Sequence, residues 1–217
     1  MDSVHIARQR VMASHARPRS SYHHGDLRHA LLEAGIALAR EAGPDAVVLR
    51  EATRRTGVVP NAAYRHFDSR HALLQAVRTA ALAALATAME KQMARVRHGG
   101  PRAALRAIGT AYLRFARTEP GLFRTAFSVP GDPETSGDPA MAGRSGLNPY
   151  QLLGSVLDEM VAQGLLPKER RPNAGYLAWS AVHGLAMLVL EGPLQRLTRA
   201  QVRQIEQRLL DMVDQGL

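Results

Sequence analysis

The stretch TGVVPNAAYRHF, residues 56–67, decides how this chain is read. Gly57 suits a turn with positive φ, and Pro60 suits a first helical turn that can spare an N–H. A short helix over Leu49–Thr56 precedes the turn, and a second over about 60–66 follows it. Two short helices joined at a Gly describe a helix-turn-helix, in which the second helix enters a DNA major groove and the first braces it. On that second helix Ala63 and Phe67 face the core, while Asn61, Arg65 and, as a further outward position, Ala62 face out. Tyr64 and His66 lie where a hydroxyl and an imidazole N–H donate to phosphates. The competing reading is a solvated helix end with one aromatic in the core. Periodicity alone leaves both open, because many small bundles contain a Gly turn.

Working outward, Leu27, Leu31, Ala34 and Leu38 recur at i, i+4, i+7 and i+11 and predict a helix from Asp26 to near Gly43-Pro44. Asp26 sits at its first turn, where a carboxylate favours free N–H groups. Before it, residues 1–22 carry Arg8, Arg10, Arg17 and Arg19 without periodicity. They read either as a solvated tail or as a basic arm for a minor groove. Downstream, Asp68 or Ser69 caps a fourth helix with Leu73, Leu74 and Val77 inward, and the Ala-rich segment to Arg97 continues it or forms a further helix. Helices follow over 102–118, 149–164, 172–191 and 198–214, with a short apolar piece at 121–127. Residues 128–148, rich in Gly, Pro, Ser and Asp, read as a mobile loop. No strand and no internal repeat emerges. The expectation is an all-α chain of about nine helices: a flexible arm over 1–22, a three-helix DNA-binding unit over 23–70, and a ligand-binding and dimerisation bundle over 71–217.

The 217 residues, 46% hydrophobic, suffice for one large domain or two small ones. The absence of Cys excludes disulfides and thiol chemistry and fits a reducing compartment. No run approaches the roughly 18 apolar residues of a membrane span, and the charged N-terminus has no apolar stretch behind it. A cytoplasmic protein is expected. Twenty-eight Lys+Arg against 19 Asp+Glu give a formal charge of +9, which favours a polyanionic partner. Almost all of these cations are Arg, which suits phosphate and guanine recognition and also follows from a GC-rich genome.

Nothing organises into a catalytic centre. His23, His24 and Asp26 stand at a helix entrance with no further ligand at a completing spacing. There is no phosphate-cradling Gly loop and no nucleophile elbow. Asp158 and Glu159 are adjacent on a helix and point different ways. No enzyme, metal or cofactor is expected. The alternative to a sequence-specific regulator is a basic helical protein that coats DNA or an anionic membrane without sequence preference.

The segment LREATRRTGVVPNAAYRHFDSRHALLQAV, residues 49–77, resembles the DNA-binding domain of the TetR family of transcriptional regulators, and YHHGDLRHALLEAGIALAREAG, residues 22–43, resembles its first helix. The resemblance implies homodimers that repress transcription and release DNA when a small molecule binds the C-terminal domain. It places Arg50 at a second-helix position that meets DNA, and Pro60, Asn61, Ala62 and Arg65 on the recognition helix. Tyr64 and His66 match the phosphate-contacting pair, and Arg70 stands in for a Lys that serves the same phosphate. Val48 and Val59 depart from the family by replacing capping Thr or Ser, and Ala52-Thr53 and Ala63 imply a smaller, softer core.

In the C-terminal half, AWSAVHGLAMLVLEG, residues 178–192, carries Trp179, His183 and Gly184, similar to the Trp-His-Gly signature of one TetR subclass. EPGLFRTAF, residues 119–127, resembles a segment midway through such domains. The resemblance implies that the last two helices pair with their copies across a two-fold axis. Gly184 would allow close approach, and Val202, Ile205, Leu209 and Met212 would form a stripe; the same residues would also serve as plain core of a monomer. Tyr112, Phe115, Phe123, Phe127, Trp179, His183 and Met187 are candidate walls for a small hydrophobic effector, or ordinary core. His183 would hydrogen-bond a ligand or a backbone carbonyl. The implied partners are a double-stranded DNA operator, a second copy and that effector, and no membrane.

Overall fold

The computed structural model describes residues 24–129 and 138–217, and among these the chain forms nine α-helices and no strand. The arm expected over 1–22 and part of the loop expected over 128–148 lie outside the described residues.

Helix α1 (His24–Ala42) buries Leu27, Leu31, Ala34 and Leu38, the four positions whose spacing predicts it. A 3-10 turn (Pro44–Ala46) leads into α2 (Leu49–Thr56). Gly57 ends α2 in the left-handed region at φ 69°, and the Val58 N–H reaches back to the Thr53 carbonyl at 3.1 Å. That six-to-one bond is a Schellman closure, which needs a residue without a Cβ penalty at Gly57. Pro60 opens α3 (Pro60–Ala63), whose regular part is shorter than the expected 60–66. Beyond Ala63 the chain tightens: the N–H groups of His66 and Phe67 both donate to the Ala63 carbonyl at 2.9 Å, and Phe67 turns into the core. Arg28 of α1 lies over the Phe67 ring at 5.1 Å.

The capping pattern divides the molecule. Ser69 caps α4 (Arg70–Ala94), Asn148 and Gln151 form a capping box on α7 (Pro149–Ala162), and Thr198 and Gln201 form another on α9 (Arg199–Gly216). Val48 and Val59 stand at the N-caps of α2 and α3 with no side-chain cap bond. The short helices of the helix-turn-helix therefore lack the local stabilisation that these three helices possess.

Helix α4 is the strut. It packs on α1 at one end and on α5 (Gly100–Thr118), α6 (Pro120–Ala126) and α7 along the rest. It also corrects the expectation that no run approaches a membrane span: over 25 residues it holds an 18-residue window of mean hydropathy 1.5. Its buried positions, Leu73 and Val77 through Leu85 to Met89, pack into the protein core, which accounts for the apolarity without a bilayer.

A second joint links the two ends. At Gly121 of α6 a Cβ would overlap the Ala39 carbonyl oxygen and lie 2.7 Å from that of Arg40, so α6 abuts the last turn of α1 at backbone distance. Arg40 Nε donates to Glu119 Oε2 across the same joint at 2.8 Å. Helix α8 (Ala174–Leu190) packs on α5, α7 and α9. Helix α9 runs antiparallel to α5, held by Arg102–Asp214, Arg106–Asp211 and Arg117–Glu206.

Residues 138–148 are not the loose loop the composition predicts. Glu90 of α4 accepts from the backbone N–H groups of Arg144 and Ser145 at 2.9 and 2.8 Å and from Ser145 Oγ at 2.6 Å. Met141 is buried beside them. A carboxylate collecting three donors fixes a segment that Gly and Pro content alone assigns to disorder.

Candidate DNA interface and ligand cavity

On the helix-turn-helix, Arg54 and Arg55 are spent internally. Arg54 pairs with Glu51 at 2.7 Å, and Arg55 bridges Glu51 and Glu41, tying α2 to α1. The two guanidinium groups hold the Glu51 carboxyl down at about 2. Arg50, exposed on α2, and Arg65, exposed after α3, have no ion pair among the described residues. Tyr64, next to Arg65 in the chain, is 56% exposed. Pro60 and Asn61 are exposed on the first turn of α3, and His66 is half-buried.

Two expectations change here. Ala62 is half-buried against the core rather than outward. Arg70 is exposed, but its Nε donates to the Val47 carbonyl and its Nη2 to the Pro44 carbonyl, both at 3.0 Å, with Asp45 at 3.5 Å. It buttresses the α1–α2 connection, which leaves fewer of its five donors for a phosphate.

The C-terminal bundle holds a partly open cavity of about 380 Å³, within the range of small-molecule sites. Of the candidate wall residues, Tyr112, Phe127, Trp179 and His183 line it. Phe115, Phe123 and Met187 do not: Phe123 is fully buried behind the wall, edge-on to Tyr112 at 5.3 Å, and Phe115 and Met187 pack into the surrounding core. Apolar periodicity marks an inward face without saying whether that face meets a cavity or another side chain.

The polar wall is a relay. Trp179 Nε1 donates to the Tyr112 hydroxyl at 3.0 Å, and that hydroxyl lies 2.7 Å from His183 Nδ1. An indole N–H only donates, so the Tyr112 hydroxyl accepts it; that oxygen has a second lone pair, and the direction of its bond to Nδ1 of neutral His183 follows the imidazole tautomer. Burial pushes the His183 imidazole below its ordinary pKa, which favours this neutral form, and pushes the Tyr112 phenol well above its own. His183 therefore bonds a side chain, not the backbone carbonyl expected as its alternative partner.

Arg78, Arg106, Asn148 and Tyr150 also line the cavity and were not anticipated. A signal existed for Arg78: it stands midway between Leu74 and Leu82 at four-residue spacing, a charge inside an apolar stripe. Among the dimer candidates, Met212 is 59% exposed, Gly184 has open space where a Cβ would project, and Ile205 and Leu209 are half-buried. Val202 is buried within the protomer and is not available to a second copy. Leu177 and Leu188 of α8, 64% and 44% exposed, lie on the same face as Gly184 and were missed.

Two family profiles match the chain: "Bacterial regulatory proteins, tetR family" over residues 31–77 and "Tetracyclin repressor-like, C-terminal domain" over residues 105–213. No match was found among curated proteins. Among solved structures, a protein of unknown function from Rhodococcus sp. RHA1 is 26% identical, with 92% of this chain and 99% of that one covered and a TM-score of 0.71. The TetR family transcriptional regulator PfmR from Thermus thermophilus is 24% identical over 86% and 98% of the two chains, with a TM-score of 0.57. A bacterial regulatory protein in the tetR family from Rhodococcus RHA1 is 16% identical over 86% and 96%, with a TM-score of 0.56.

Proposed function

Because the chain belongs to the TetR family of transcriptional regulators, we propose that it is a homodimeric, sequence-specific repressor released from its operator by a small, largely apolar effector. Residues 23–70 read DNA and 71–217 bind the effector and the second copy. The observation that carries the DNA reading is the charge pattern of the helix-turn-helix. Its inner cations are neutralised by Glu41 and Glu51, while Arg50 and Arg65 have no ion pair among the described residues and Tyr64 is exposed. Tyr64, His66 and Arg50 hold the backbone, and Asn61 and Arg65 read base edges. Arg70 acts mainly by fixing the α1–α2 connection.

Two copies joined through the exposed apolar face of α8 and the Ile205-Leu209-Met212 line of α9 would set two recognition units about 34–36 Å apart, or a further turn. An effector against Phe127 bears on α6, which abuts α1 at Gly121, and one against Arg78 or Leu82 bears on α4. Either path alters the spacing, and the equilibrium shifts by the effector's difference in affinity between the two states.

Selection of bound sequences from a random DNA pool tests the reading. An enriched two-fold motif is expected, with Arg65→Ala costing about 1–3 kcal/mol and relaxing one position of it. Tyr64→Ala should weaken binding to all sequences alike. A pool recovered without enrichment would replace the regulator with a non-specific DNA coat.

A further inference from the structure

We propose that the cavity recognises an amphipathic monoanion, a carboxylic acid on an apolar chain or ring, through the guanidinium of Arg78. This rests on the effector-binding reading above and names the class of effector.

Arg78 lies on α4 and lines the cavity. Its Nε is sealed from solvent and has no hydrogen-bond partner, and no ion pair of its guanidinium occurs among the described residues. The other buried Nε of this kind, on Arg124, lies 3.1 Å from the Glu191 carboxylate, so its charge is answered. Arg106, the second cation of the wall, is paired with Asp211 on α9. No Asp or Glu is among the described lining residues. Among these residues the cavity therefore holds one positive charge without a counter-charge.

A buried donor without an acceptor is costly, and a guanidinium presents its donors as a planar fork that matches a carboxylate. His183 lines the same cavity, with its Nδ1 bonded to the Tyr112 hydroxyl. Leu82, Met89, Ile108, Leu153 and Val182 supply an aliphatic part of the wall, Phe127 and Trp179 an aromatic one, and Asn148, Tyr150 and Ser180 add neutral polar groups. A single anionic head with an apolar body meets all of these surfaces; a neutral hydrocarbon leaves Arg78 unanswered, and a polyanion finds too little positive charge and a greasy wall. Arg78 stands two turns beyond Arg70, which anchors the same helix to the Val47 and Pro44 carbonyls. A head group gripping Arg78 therefore acts on the helix that supports the DNA-reading unit.

The test uses the full chain without DNA and a matched pair of probes, decanoate and decan-1-ol. Binding is read by the fluorescence of Trp179, the sole Trp and part of the cavity wall, and by thermal shift. Wild type should bind decanoate at least tenfold tighter than decan-1-ol. Arg78→Met should lose at least tenfold for decanoate and keep or gain affinity for decan-1-ol. Arg78→Lys, which retains the charge, should keep the preference for the acid. Equal decanoate affinity in wild type and Arg78→Met, or no decanoate binding to wild type, would overturn the proposal. Operator release is measured separately: decanoate bound through Arg78 without loss of DNA affinity would sink the effector mechanism and leave this site standing.

Discussion

Tyr112 shows how one atom organises a site. Its hydroxyl accepts from Trp179 and shares a hydrogen bond with His183 Nδ1, and removing it strands both groups. Tyr112→Phe should therefore cost about 1–3 kcal/mol in urea denaturation, with a shifted Trp179 emission; unchanged stability would mean the relay is ornamental. His183 also imposes a pH dependence. Its folded pKa is depressed by burial, so the unfolded chain takes up that proton first as pH falls. The stabilisation is complete above the ordinary His pKa of about 6.5 and is lost as pH drops from there toward the folded value. Protonation also makes both ring nitrogens donors, so that Nδ1 donates to the Tyr112 hydroxyl. Wild-type melting temperature should fall from about pH 7.5 to about pH 5.5, a window that brackets the ordinary His pKa, more steeply than that of His183→Gln; parallel slopes would remove His183 as the cause.

At the scale of the element, the helix-turn-helix is assembled without the caps that serve α4, α7 and α9. Val59 is 68% exposed, so exchanging it forfeits little packing. Val59→Ser supplies the missing side-chain acceptor at the start of α3 and should stabilise the protein by about 1 kcal/mol. Hydrogen exchange around residues 60–66 should slow in step. No slowing would place the weakness of this unit elsewhere, in the small core around Ala52 and Ala63. The boundaries of α2 were legible because both of its ends are chemical: an apolar start and a Gly that alone tolerates the closing turn. The end of α3 was not, because Phe67 turns the chain into a core that only the folded molecule possesses.

For the whole molecule the question is how the two copies of the proposed dimer meet. Leu177, Gly184 and Leu188 form an exposed apolar face on α8, and Met212 lies exposed on α9, which packs against it. Leu188→Glu with Met212→Glu should convert dimer to monomer in sedimentation experiments, reduce operator affinity, and leave each protomer folded, since both positions are exposed within it. Persistence of the dimer would move the interface. The helices of this protein, the glycine turn between α2 and α3, and the inward faces of α1 and α4 follow from local chemistry: periodicity, Gly and Pro act within a few residues and leave their mark on the chain itself. Which inward aromatic meets a cavity and which meets another ring, that Arg70 braces carbonyls 23 and 26 residues away, that Glu90 pins residues 144 and 145, and that Arg78 is left without a counter-charge among the described residues were decided in three dimensions. Those are pairings between distant segments. A charge is answered or stranded only by what the fold brings beside it.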